Sequence, residues 1–134
     1  MTDIDSTSIL FELRQFTGDF ERFRSIRPTL IYTPGVQYLA KQAGAYWLID
    51  AIASYFPSDA FARATGKDER ISYLHFWRLD VHEDRSATLT ARVDKDEKPF
   101  ITQEIEWTDF PLPAIDLWCG SGGKYFTLYL PSEH

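Results

Sequence analysis

The sequence has little with which to cross-link itself, hold a metal or attack a substrate. It contains one cysteine, Cys119, so no disulfide can form within the chain and stability has to come from packing. Three scattered histidines and that single thiol give no ligand pair at the spacing zinc requires, so no metal and no cofactor is expected. Long apolar runs are also missing. Lys41 and Asp50 interrupt the best candidate, which falls short of the ~18 apolar residues a membrane span needs. Positive charge is in deficit, 14 basic residues against 20 acidic, for a net charge of −6. That balance argues against general nucleic-acid binding, which works through a basic surplus or patch. The opening MTDIDSTSILFELRQF carries acids where a secretion signal has a basic region. Together these absences lead to the expectation of a cytoplasmic protein that does not engage a membrane.

What is present is an aromatic-rich core pattern. Aromatics make up 16% of the 134 residues, enough to exclude disorder as the resting state and to build one domain over residues 1–134. Residues 1–5 read as a loose tail. Ser6 or Thr7 suits a helix cap, with Ile9, Leu10, Leu13 and Phe16 on one stripe. The stretch FERFRSIRPTLIY is ambiguous, dense in arginine and broken by Pro28. A helical segment follows, TPGVQYLAKQAGAYWLIDAIASYF, with Thr33 as N-cap and Pro34 at the first helical position. Gly44 either admits a close neighbour or breaks that segment into two helices. The region 6–66 is thus expected to be mainly helical.

Beyond residue 70 the period changes to two. Ile71, Tyr73, His75, Trp77, Leu79 and Val81 share one strand face. Similar sets run through Ala87–Val93, Ile101–Trp107, Ile115–Cys119 and Phe126–Leu130. The links HEDR, DKDEKP, TDFPLP and GSGG are too short for parallel crossovers. The expected fold is therefore α+β: two or three N-terminal helices packed on one face of a roughly five-stranded antiparallel meander spanning 70–131.

Few motifs point to chemistry. CGSGGK resembles a phosphate loop only in composition, because an alternating strand follows it where a helix should begin. Cys119 falls on the inward set of its strand, where a thiol is inert, so a Cys–His nucleophile with His75 or His82 is not expected. Asp50 stands out among Trp47, Leu48, Ile49, Ile52 and Tyr55. A carboxylate buried there needs donors, and the reading preferred is a structural hydrogen bond to a hydroxyl, a backbone N–H or an arginine of Arg22–Arg27. The functional alternative places Asp50 in a pocket between the long helix and the sheet, with Trp47, Tyr55, His75 and Trp77. Glu104, Glu106 and Asp109 form a candidate acidic contact surface, although Asp109 before FPLP also suits a turn cap.

The segments YTPGVQYLAKQAGAYWLIDAIASY, TDFPLP and LYLPSEH resemble an uncharacterised family of small single-domain bacterial proteins, found largely in cyanobacteria and on mobile elements. The matching positions are Tyr32–Leu39, Ala45–Asp50, Phe76–Leu79 and Leu130–Glu133. The resemblance implies no activity. Its mobile-element setting leans toward inhibition of a host defence system. With no catalytic constellation, the function expected is that of a non-enzymatic module binding another protein, and a homodimer is compatible with the sequence. The rival is a small-molecule binder or hydrolase-like protein using the Asp50 pocket.

Overall fold

The computed structural model describes residues 9, 13, 22–26, 29–56, 58–121 and 125–134. The expected tail at 1–5, the cap at Ser6 or Thr7, Leu10, Phe16, Pro28, Pro57 and the second half of the GSGG turn lie outside them. Ile9 and Leu13 are helical and buried in the main core.

Helix α1 (Pro34–Ala43) starts as its sequence demands. Thr33 Oγ1 accepts from Val36 N at 3.4 Å, and Pro34 occupies the first turn, where its missing donor costs nothing. Val36, Leu39, Ala40 and Ala43 form the buried stripe. Gly44 ends the helix in the left-handed conformation at φ 61°, and its N–H returns to Ala40 O. A Cβ there would meet nothing within 4 Å, so Gly44 serves the break and not a close approach. Helix α2 (Tyr46–Ala53) then buries Leu48, Ile49, Ile52 and Ala53. Helix α3 (Asp59–Lys67), capped by Ser58, runs past Gly66 and has no fully buried residue.

The sheet has seven strands: β1 (Phe23–Arg24), β2 (Leu30–Tyr32), β3 (Leu74–Val81), β4 (Ala87–Arg92), β5 (Ile101–Ile105), β6 (Ala114–Ser121) and β7 (Phe126–Tyr129). Their spatial order is β1-β2-β7-β6-β3-β4-β5. The α+β class and the helical face are as expected, but the sheet is larger than a five-stranded meander and differently connected. The arginine-rich stretch within 6–66 supplies β1 and β2, and β2 runs parallel to β7. Strands β3, β4 and β5 do form a meander, but β6 returns to pair with β3, giving a Greek key. The sequence could not exclude this, because the β5–β6 link is long enough for either course. Residues 106–113 extend to roughly 26 Å at ~3.3 Å each, against roughly 14 Å for three strand spacings.

That crossover is anchored rather than loose. Phe110 and Leu112 are buried in the core. Arg85, held at φ 70° in the β3–β4 hairpin, donates from Nε to Thr108 O at 3.1 Å and from Nη2 to Phe110 O at 2.7 Å. Ile71, Tyr73, Val93, Trp107 and Leu130, placed on the inward strand sets, lie outside regular strand, and of these Tyr73 and Trp107 are exposed. Tyr73 ends the 3-10 turn Glu69–Ser72 before β3 begins, and Trp107 lies past the end of β5. Alternation holds only while the pleat continues.

The core lies between the helices and the inward faces of β3, β4, β6 and β7, with Trp77, Leu79, Leu89, Leu117 and Leu128 almost wholly enclosed. Leu89→Ala, Leu117→Ala and Leu128→Ala should each lower the free energy of unfolding by ~2–5 kcal/mol in urea titrations, through lost transfer energy and a residual cavity. Gly35→Ala tests another contact. Its Cβ would lie 2.6 Å from Leu130 Cδ1 and 2.7 Å from Glu133 Oε1, so a loss of ~1–3 kcal/mol is expected from overpacking.

Candidate functional site

The structure gathers three of the five residues of the expected helix–sheet pocket and leaves Asp50 out. Tyr55 and Trp77 meet at 5.6 Å between ring centroids, and Trp77 meets His75 at 6.0 Å. Trp47 is half-buried against the same core. Asp50 is also only half-buried, and among the described residues its carboxylate has no hydrogen bond or ion pair. The nearby Ser54 hydroxyl donates to Ala51 O instead. Asp50 is felt electrostatically by Tyr32, whose phenol is raised by burial first and then by Tyr46 and Asp50. The expectation of a buried, hydrogen-bonded Asp50 is thus not met, because the helix flank at this position reaches solvent.

His75 is the unusual group of the interior. Its ring lies within 6 Å of the rings of Phe56, Phe61, Phe100 and Phe126. Nδ1 faces Ile71 O at 2.9 Å, so Nδ1 carries the proton and Nε2 is the bare acceptor. His75 Nε2 and Trp77 Nε1 are buried without a hydrogen-bond partner. Burial pushes the imidazole down to about 4, with the bond to Ile71 opposing the shift. Cys119 is equally enclosed, and burial pushes its thiol up. Neither group is placed to meet a substrate from solvent.

The three acidic candidates are all exposed and differ in their local contacts. Glu104 points outward from β5 and accepts from the Thr88 hydroxyl at 3.1 Å. Glu106 and Asp109 are exposed beyond the strand. The turn cap assigned to Asp109 belongs to its neighbour: Thr108 Oγ1 accepts from Phe110 N at 3.1 Å. Thr108 is buried and Asp109 is exposed, so only the former faces the backbone that needs capping.

The surface feature missing from the sequence reading lies on the other side of the sheet. The described helical residues that join the core pack on the inward face. On the outward face the register aligns Arg92 of β4, Phe76 of β3, Trp118 of β6 and Tyr129 of β7 in a single row. The row spans roughly 14 Å at strand spacing. Phe76 and Trp118 meet edge to face at 5.0 Å, and Trp118 and Tyr129 at 6.2 Å. His134 stacks on Tyr129 and accepts or donates through Nδ1 to its hydroxyl at 2.9 Å. All four residues of the row are half-exposed.

Beside that row runs a charged one. Arg78 Nη1 donates to Asp116 at 2.9 Å and Arg78 Nε to Asp80 at 3.0 Å. Asp116 foremost, with Asp80, holds the guanidinium above its usual range. Pairs this exposed contribute only ~0–1 kcal/mol to the fold, so they define surface chemistry more than stability. A cleft of about 460 Å³ opens along Phe76, Arg78, Arg92, Asp116 and Trp118. The signal for it was available in the alternate residues of β3 and β6, which are aromatic and charged where a merely wet face carries threonine.

Residues 7–134 match the sequence profile of DUF6876, described as a family of unknown function. The chain belongs to DUF6876. No curated protein and no solved structure matches it. Among the described residues no three His, Cys, Asp or Glu side chains cluster to hold a metal, and no helix is long and apolar enough to cross a membrane.

The enclosed imidazole yields a pH prediction. The unfolded chain takes up a proton on His75 near pH 6.5, whereas the folded one resists until about 4. Stability should therefore fall as pH drops through that window, by about 3 kcal/mol from this group, and lose nothing further from it below. Urea titrations of wild type and His75→Phe across the window should show the variant with the flatter profile.

Proposed function

We propose that this protein is a non-enzymatic module that binds another protein on the outward face of its sheet. The supporting observation is the Arg92–Phe76–Trp118–Tyr129 row: an arginine and three half-exposed aromatics aligned across four strands, next to paired arginine and aspartate, on a face that no described helix covers. Aromatic and arginine side chains are the types enriched at the energetic centres of protein interfaces, where they bury large area. Acids interleaved on the same face, Asp80, Asp94 and Asp116, oppose a phosphate backbone and favour a protein with its own mixed charge. The pocket reading finds less support, since the space between α2 and the sheet is filled by Tyr55 and the enclosed Trp77. The family resemblance to chains on mobile elements makes a component of a host defence system the fitting partner.

The test is affinity capture from a bacterial host lysate with wild type, Trp118→Ala, Phe76→Ala and Trp107→Ala, followed by titration of the purified partner. Trp118→Ala should weaken binding by about 30-fold, the equivalent of ~2 kcal/mol at a hot spot. Trp107→Ala, exposed off this face, should change it little. A partner that binds Trp118→Ala, Phe76→Ala and wild type equally would refute the assignment.

A further inference from the structure

A second concavity lies at the opposite end of the molecule's chemistry. It is a groove of about 530 Å³ between α3 and the β4–β5 connection. Its rim carries Arg63, Lys67 and Lys98. All three are exposed, and among the described residues none makes a hydrogen bond or ion pair through its side chain. The two carboxylates that line it, Asp68 and Glu97, are already engaged. Arg70 Nη2 donates to Asp68 at 2.6 Å and to Glu97 at 2.9 Å. The lining thus holds three cations and two acids, and both acids are held by Arg70 from beside the groove, a local positive excess on a chain whose net charge is −6.

The C-terminal end of α3 bears on this site, because its carbonyls present roughly half a negative charge. That offset is smaller than the lining's net positive charge of one, and Arg70 already occupies both acids, so the groove remains attractive to an anion. The Arg63 and Lys67 side chains lie one helical turn apart and converge on the same side. Asp68 caps the next turn by accepting from Arg70 N at 3.1 Å, which ties the end of the helix to the Arg70 bridge. The Arg70–Glu97 pair carries that tie across to the β4–β5 connection, where Lys98 stands.

The floor differs from the rim. Ile71, Val93 and Phe100 line it, with Ile71 buried and Phe100 half-buried. Phe100 is backed by His75 at 5.6 Å and by Phe61 at 6.5 Å, so its ring is held by the core. A cationic rim over a fixed aromatic floor suits a ligand that is both anionic and flat. The volume lies within the range of small-molecule sites. We propose that this groove binds a nucleoside phosphate, with the phosphate against Arg63, Lys67 and Lys98 and the base against Phe100 and Val93.

Titrating isotopically labelled protein with AMP, adenosine and inorganic phosphate, while following backbone amide shifts, tests the proposal. AMP should shift amides of 60–68 and 93–100 and leave the outward sheet row unmoved. Adenosine and inorganic phosphate should each bind at least about tenfold more weakly, since each keeps half of the recognition. Arg63→Glu with Lys67→Glu should weaken AMP by at least about tenfold. Both positions are exposed on α3, so an otherwise unchanged spectrum will show that the fold is intact. The proposal is overturned if millimolar AMP shifts nothing in the groove, if the double variant binds AMP as wild type does, or if inorganic phosphate binds as well as AMP.

Discussion

The carboxylate of Glu133 ties the C-terminal turn to the start of α1. Its Oε1 accepts from the Thr33 hydroxyl at 2.6 Å and from Leu130 N at 2.9 Å, and its Oε2 accepts from Gly35 N at 3.3 Å. One side chain therefore satisfies an orphan donor at the start of α1 and closes the turn after β7. The same junction sets β7 beside β2, where Thr33 N donates to Leu128 O at 3.1 Å and Phe126 N to Thr29 O at 2.8 Å. The parallel pair joins segments about a hundred residues apart, and entropy opposes such a closure. Burial of Leu30 and Leu128 on the inward face offsets that cost. Gly35 is required by the closeness of the approach and not by its backbone angles.

A sheet pinned in this way can be covered on one side and left open on the other. Helices α1 and α2 take the inward face, and the crossover through Phe110 and Leu112 fills its end under Arg85. No described helix covers the outward face, where threonines and ion pairs meet water. What distinguishes it from a merely wet face is the concentration of Phe76, Trp118 and Tyr129 in register. Three aromatic rings half-exposed in one row are a standing cost unless something covers them.

The inward set was legible because burial imposes a period. His75, Trp77, Leu79, Leu89, Leu117, Cys119 and Leu128 all fall where alternation placed them. Thr33 and Pro34 marked the start of α1 through local chemistry alone, a cap hydroxyl and a missing N–H, whereas Gly44 allowed either a close approach or a break and its left-handed turn decided for the break. Asp50 was misread for a related reason. Apolar neighbours in sequence imply enclosure only when every flank of the helix is packed, and the flank bearing Asp50 is not. Asp109 and Thr108 show the same limit at the scale of one residue, since either can cap a turn and only position decides.

The sequence by itself determined the change from helical to alternating structure near residue 70, the start of α1 and the inward faces. Each of these depends on interactions within a few residues or on burial along one face. Tertiary structure alone decided that β6 returns to β3, that β2 joins β7 in parallel, and that Glu133 reaches Thr33. It also decided that Arg92, Phe76, Trp118 and Tyr129 stand in one row. Those facts depend on which strands become neighbours, and a link of eight residues permits more than one answer. The choice is made by where Phe110 and Leu112 can be buried and by which pairing leaves the fewest backbone groups unsatisfied, quantities that belong to the assembled fold.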